Sequence, residues 1–287
     1  MKISKILADK NPTISFEVFP PKAETGLNDA KAAAGAIAAL GPSFMSVTYG
    51  AAGSTSKLTV EVASSIKSLY GVPVMPHLTC VASTKEHVAN MLSQIRENNI
   101  DNIMALRGDL PKDGVVCNDY THASDLIRDI RAQDPDICIG GACYPEGHVE
   151  SAHKSEDIHF LKEKVDAGCD FLTTQMFFDN NIFYNFLYRV KDVGINVPIV
   201  PGIMPITTAK QLSRSVQLSG TSVPERFKAI VDRFGDNPVA MRQAGIIYAT
   251  EQIIDLIANG ITHIHVYSMN KPDVASDILY NLKGIIG

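Results

Sequence analysis

Arg107-Gly108-Asp109 closes the apolar run Asn102-Ile103-Met104-Ala105-Leu106 with a cation, a glycine and a carboxylate. An apolar run bounded by Gly and Pro fits a strand covered on both faces. The polar triplet then falls where that strand leaves its sheet, the edge at which open α/β sheets and barrels bind ligands. Gly108 permits close approach of backbone to a ligand, with Arg107 and Asp109 offering opposite charges beside it. A surface turn with a local ion pair accounts for these three residues equally well, so other strands must decide between the readings.

Strand side chains alternate between faces, and parity therefore separates a barrel interior from the helix-facing side. In Ser15-Phe16-Glu17-Val18-Phe19, Phe16 and Val18 share one parity and Glu17 takes the other. Ser46 and Thr48 oppose Val47; Met75, His77 and Thr79 fall together, as do Thr173 and Gln175. Each polar residue lies in the later half of its strand. Glu17, Thr48, His77, Asp109, Tyr144, Gln175 and Tyr267 are thus expected to ring one mouth, where branched apolar side chains would ordinarily sit. A single strand Thr or Gln is readily a satisfied core group, but burying a carboxylate without purpose is costly. A binding site at this mouth is the expectation.

Eight strands would position these residues: Thr13–Phe19, Phe44–Tyr49, Val72–Thr79, Asn102–Leu106, Ile137–Cys143, Phe171–Phe177, Pro198–Ile203 and Ile264–Tyr267. Helical stretches alternate with them, at Leu27–Leu40, Leu58–Tyr70, Ser83 or Thr84 to Asn98, Ala123–Ala132, Glu156–Ala167, Ile182–Val193, Ala209–Leu218 and Val274–Leu282. Gly168 should terminate the fifth of these. Two further helices are expected between Pro224 and Ala258. This alternation predicts an α/β fold, a closed (β/α)8 TIM barrel with extra helices before the last strand, occupying residues 1–287 as one domain. A doubly wound sheet with an appended domain is the alternative.

The chain has 287 residues, 45% hydrophobic and 20% charged, enough to bury a full core. Its net charge of −5 offers no basic surface for nucleic acid. The five cysteines form no Cys-x-x-Cys pair and their odd count argues against a disulfide framework. No signal-peptide pattern and no run approaching the roughly 20 apolar residues of a membrane span occur. A cytoplasmic globular protein is expected. Neither Gly-x-Gly-x-x-Gly after a strand nor Gly-x-x-x-x-Gly-Lys is present, which excludes a Rossmann crevice and a phosphate loop. His263-Ile264-His265 puts two imidazoles on one strand face and, with His77 and Asp109, would suit a metal-dependent hydrolase. Both histidines lie early in their strand, away from the mouth, so no metal centre is expected. A Schiff-base aldolase would want a lysine near the end of a strand, and none is there.

Phe16-Glu17-Val18-Phe19-Pro20-Pro21, Val47-Thr48-Tyr49-Gly50 and Pro76-His77-Leu78-Thr79-Cys80 closely resemble motifs of methylenetetrahydrofolate reductases. So do Ala105-Leu106-Arg107-Gly108-Asp109, Tyr144-Pro145-Glu146-Gly147-His148 and Thr174-Gln175-Met176-Phe177-Phe178. Pro201-Gly202-Ile203-Met204-Pro205 and His265-Val266-Tyr267-Ser268-Met269-Asn270 complete the set, in the family's order and spacing. The resemblance covers the catalytic barrel, with no counterpart of the regulatory extension of animal and fungal members.

It implies a (β/α)8 barrel that holds FAD non-covalently and reduces 5,10-methylenetetrahydrofolate to 5-methyltetrahydrofolate, in one-carbon metabolism and methionine biosynthesis, with NADH or NADPH as co-substrate. A homo-oligomer is implied, and in some relatives a partner protein delivers the electrons. Glu17 stands where the family's general acid stands, and Asp109 matches the carboxylate beside the flavin. Thr48, Tyr49, Ala51, His77, Arg107, Gly108, Asp109, Ala123, Tyr144, His148, Ser151, Asp157 and Lys164 fall at flavin-contact positions. Glu17, Asp109, Gln175, Gln211, Tyr267 and Lys271 fall at substrate positions. Compared with the enterobacterial pattern, Phe160 and Glu163 replace an Asn and an Arg on the FAD-binding helix. Lys271 replaces an Arg and loses its bidentate fork, and Ser215 replaces a Phe that packs over bound ligand. A non-catalytic flavin or folate binder is the competing reading.

Overall fold

The computed structural model describes residues 1–50, 55–81, 83–108, 119–151 and 153–286. Among the described residues nine strand segments are formed: β1 (Thr13–Val18), β2 (Met45–Val47), β3 (Val74–Thr79), β4 (Asn102–Leu106), β5 (Cys138–Cys143), β6 (Phe171–Thr174), β7 (Ile199–Val200), β8 (Gly202–Ile203) and β9 (His263–Tyr267). All pair in parallel, in the order β7-β6-β5-β4-β3-β2-β1-β9-β8. β7 and β8 are the two halves of the predicted Pro198–Ile203 strand, parted at Pro201, which has no N–H to donate. The first half pairs with β6 and the second with β9, so one interrupted strand completes an eight-staved α/β barrel of the TIM type.

The same interruption shortens β6, which ends at Thr174 and not at Phe177. Beyond Pro201 the neighbour no longer offers a regular ladder. Gly202 N donates instead to Thr174 Oγ1 at 2.9 Å, and the Tyr267 hydroxyl reaches the Thr174 carbonyl at 2.5 Å. A Cβ on Gly202 would lie 2.4 Å from that hydroxyl, so only glycine lets Tyr267 cross here.

Parity sorts two cores as expected. Phe16, Val18, Met45 and Val47 face the surrounding helices. Met75, Met104, Cys138, Phe171 and Val200 fill the interior together with Phe44, Ile3 and Leu7. The last two flank and begin α1 (Ile3–Ile6), a short helix that seals the floor of the barrel and is absent from the sequence expectation. Asn102 fastens it: its Oδ1 accepts from Ile3 N at 2.7 Å while Nδ2 donates to Met1 O and Val74 O, each at 3.1 Å. With an apolar floor, the polar strand residues are left to the opposite end.

Among the described residues the remaining α-helices are α2 (Leu27–Ala38), α3 (Ser56–Tyr70), α4 (Lys85–Glu97), α5 (Ala123–Gln133), α6 (Lys154–Asp166), α7 (Asn180–Asp192), α8 (Ala209–Ser219), α9 (Glu225–Phe234), α10 (Pro238–Ala258) and α11 (Pro272–Ile286). Thr84 caps α4 by accepting from His87 N, and Asn237 caps α10 through Val239 N and Ala240 N. Gly168, at φ +112°, follows the end of α6 as expected. The two added helices, α9 and α10, cover a satellite core of Met176, Phe178, Ile206, Leu212, Phe227, Met241 and Tyr248 beside the mouth. Among the described residues no helix is long and apolar enough to cross a membrane.

Candidate active site

Glu17 sits in register with Ser46 on β2 and Tyr267 on β9. Its Oε2 lies 3.4 Å from Ser46 Oγ and 3.6 Å from His77 Nε2. Burial raises its pKa from 4.5 to about 8, against the opposite pull of a hydrogen bond from Ser46. Burial also takes His77 down to about 4. At neutral pH the pair is therefore a protonated acid beside an uncharged imidazole, not a salt bridge. The Glu17 side chain keeps 21% of its surface exposed, which leaves it within reach of a ligand in the mouth. His77 Nε2 is buried without a hydrogen-bond partner, the kind of orphan that a bound ligand satisfies.

The two strand histidines that would have served a metal are otherwise engaged. His263 meets Thr13 Oγ1 at 2.8 Å and Asp9 O at 3.0 Å; His265 meets Ser15 Oγ at 2.8 Å and Ser46 Oγ at 3.0 Å. Among the described residues no group of three or more His, Cys, Asp or Glu is placed to hold a metal ion.

Next to this centre, the ends of β4 and β5 and the starts of α5 and α6 frame a cavity of about 490 Å³. Tyr49, Arg107, Gly108, Ala123, Tyr144, His148, Ser151, Asp157 and Lys164 line it, nine of the expected flavin-contact positions. Thr48 and His77 lie outside its lining; Ala51 and Asp109 lie outside the described residues. Gly108 has φ +85°, and a Cβ there would come within 2.9 Å of Thr79 Cβ. Its first constraint is thus the neighbouring strand's end, in addition to any ligand.

The cavity's charges are held in order. Arg107 grips Glu150 with both arms of its guanidinium, at 2.6 and 2.8 Å. Burial lowers the pKa of His148, and its Nδ1 accepts from Glu150 N at 3.2 Å, so the neutral ring carries its hydrogen on Nε2. Lys164 Nζ donates to Ala142 O at 2.5 Å; burial lowers its pKa and raises that of Asp157 nearby. Phe160, where the family pattern is broken, stacks on His122 at 5.9 Å and 16°, and both line the cavity with Glu163. Glu150 and His122 were not among the expected site residues. A helix-capping position just before Ala123 was the available signal for His122.

A guanidinium fork closed on a carboxylate, a buried lysine and an aromatic pair in the lining fit a ligand with anionic groups and flat rings. Arg107, His148, Lys164, Phe160 and His122 are the residues that could hold such a group.

Of the other expected substrate residues, Gln175, Gln211, Tyr267 and Lys271 come from the ends of β6, β8 and β9 and the segments after them. Gln175 Oε1 accepts from Met176 N at 3.0 Å. Gln211 Oε1 accepts from Thr207 N and Thr207 Oγ1 at 3.0 and 3.1 Å, while Nε2 donates to Pro205 O at 3.1 Å. Lys271 Nζ donates to the same Thr207 Oγ1 at 2.8 Å. Gln211 and Lys271 therefore meet at the loop after β8, whereas Tyr267 spends its hydroxyl on Thr174. Ser215, half-buried on α8, accepts through its carbonyl from Ser219 Oγ at 2.8 Å.

The fold resembles solved structures at low identity. An uncharacterized protein from Clostridium thermocellum, described as binding two copies of 5-methyl-5,6,7,8-tetrahydrofolic acid, superposes with TM-score 0.67 at 16% identity over 98% of each chain. An oxaloacetate acetylhydrolase superposes with TM-score 0.56 at 12% identity. In sequence, the chain is 38% identical over 297 residues to a probable methylenetetrahydrofolate reductase (NADH) of Oryza sativa, covering 98% of this chain and 50% of that protein. It thus spans about half the length of the curated plant relatives it matches. The 5,10-methylenetetrahydrofolate reductases of Pectobacterium carotovorum and Escherichia coli are each 32% identical over 94% of this chain, which covers 89% and 90% of them. The methylenetetrahydrofolate reductase family model matches residues 2–283, and the chain belongs to that family.

Proposed function

We propose that this chain reduces 5,10-methylenetetrahydrofolate to 5-methyltetrahydrofolate, using FAD held in the cavity and NADH or NADPH as electron source. One observation carries the reading: Glu17, a carboxyl kept protonated near neutrality, opens onto the mouth beside that cavity. The bridging methylene of the folate turns electrophilic when the ring nitrogen that leaves it is protonated, and a buried acid with a raised pKa is suited to give that proton. His77, uncharged, does not compete for it. FAD, when bound, would supply the hydride carrier. Asp109 is proposed, from the family resemblance, to balance the positive charge that protonation creates. Gln175, Gln211 and Lys271 would orient the folate.

The test separates the two half-reactions. Glu17→Gln keeps size and hydrogen-bonding capacity and loses the proton. Bleaching of the bound flavin by NADH should proceed at near the normal rate, while reoxidation by the folate slows by more than ~10²-fold, the lower range for losing a positioned acid. A variant slowed equally in both steps would make Glu17 a structural or flavin-binding residue. Well-folded protein that neither carries FAD nor takes it up would sink the assignment altogether.

A further inference from the structure

Below Glu17 a line of side chains descends the barrel interior. Ser46 Oγ lies 3.4 Å from Glu17 Oε2 and 3.0 Å from His265 Nε2, and His265 Nδ1 lies 2.8 Å from Ser15 Oγ. Strand register produces the line, since Ser15 pairs with His265 across β1 and β9 and Glu17 with Ser46 across β1 and β2. Ser15, Ser46 and His265 are all buried. Phe44 stacks on the imidazole at 5.5 Å and 9°, fixing its plane.

A hydroxyl has one hydrogen, and a neutral imidazole has one N–H, so the line runs in only one direction at a time. Burial drives the His265 pKa down to about 3, which keeps the ring neutral. With the hydrogen on Nδ1, Ser46 turns its hydrogen to His265 and Ser15 turns to the Ile264 carbonyl, 3.1 Å away. Glu17 would then have to point its own proton at Ser46. With the hydrogen on Nε2, Ser15 donates to Nδ1, Nε2 donates to Ser46, and Ser46 donates to Glu17 Oε2. The Ser15–Nδ1 contact at 2.8 Å is made in either arrangement, but only the second gives Glu17 Oε2 a donor once the acid's proton has left.

We propose that Ser15, His265 and Ser46 are positioning residues for Glu17: their hydrogen bonds run toward Oε2, which leaves the acid's proton on Oε1 and free for the ligand. The proposal rests on the reading of Glu17 as the general acid. When Glu17 gives up its proton, the O–H bond breaks as the N–H bond on the folate forms, and the electron pair stays on the carboxylate. A hydrogen bond already aimed at Oε2 then meets that charge, and no proton has to travel along the line. The other titratable groups facing Glu17 are His77 from β3 and Tyr267 from β9. His77 is neutral above about 4 and burial raises Tyr267 well above its usual range, so neither changes charge as Glu17 titrates.

The direct test is nitrogen-15 NMR of the FAD-loaded enzyme with labelled histidine, the His265 signal being assigned by its loss in His265→Gln. The expected tautomer is Nε2–H; an Nδ1–H ring overturns the proposal. A second measurement uses Ser46→Ala, which removes one oxygen. Carbon-13 titration of the Glu17 carboxyl should move upward, and reoxidation by the folate should slow about tenfold or more, the effect of one hydrogen bond to a charge. A downward or absent shift, or equal slowing of flavin bleaching, counts against it. Both spectroscopic readouts judge the line of hydrogen bonds whatever Glu17 does in catalysis. An unimpaired folate step in Glu17→Gln would instead sink the acid reading.

Discussion

Arg107 faces a choice between two anions. Its fork is closed on Glu150, and a flavin phosphate would have to take the place of that carboxylate. The pair is one-third to one-half exposed, so it is worth no more than about 1 kcal/mol. Glu150→Gln should therefore bind FAD as tightly as the parent or up to about fivefold more tightly, read by flavin fluorescence quenching. Weaker binding in Glu150→Gln would make Glu150 an orienting group for Arg107 and not its placeholder. Phe160 belongs to the same scale. It replaces a polar residue of the enterobacterial pattern and stacks on His122 at the cavity wall, so an aromatic surface stands where that pattern has an amide.

Elements carry these residues, and some elements were easier to read than others. Strand parity in the sequence separated Glu17 from Phe16 and Val18, because a two-residue period survives even in a strand buried on both sides. The floor helix α1 left no such trace: four residues hold barely one turn, and its stability comes from Asn102 and the barrel interior. The break at Pro201 was hidden inside a run that reads as one strand. Pairings such as Arg107 with Glu150 exist only because the barrel brings distant loops together. One further contact, between α10 and the loop after β8, is set by a single glycine. A Cβ on Gly245 would fall 1.7 Å from Ile206 O, beside the Thr207 that Gln211 and Lys271 share. Gly245→Ala must push helix and loop apart. The expected cost is about 1–3 kcal/mol in chemical denaturation, accompanied by weaker folate binding with FAD affinity retained. Unchanged stability would mean that the loop yields freely.

Across the whole molecule, a proton held on Glu17 links the proposed chemistry to folding stability. The unfolded chain releases that proton near pH 4.5, the folded chain near 8. Between these values the folded state binds one more proton, so each rise in pH removes stability until the folded pKa is passed. His77 and His265 act in the opposite sense. Folded, they stay neutral down to about 4 and 3; unfolded, they gain a proton below 6.5, so their contribution grows with pH up to 6.5 and is then constant. Of these three groups, Glu17 alone slopes between pH 6.5 and 8, and it slopes downward. Glu17→Gln has no carboxyl to ionise and should lack that decline. Subtracting the variant's unfolding free energy from the parent's at each pH should give a difference that is level below about 4.5, turns increasingly against the parent up to about 8, and is level again above it. Denaturant melts of the two proteins across this range decide the matter. A difference that stays flat from pH 4.5 to 8 would mean that the folded barrel does not hold this carboxyl protonated at neutral pH, and the proton for the folate would have to come from another group.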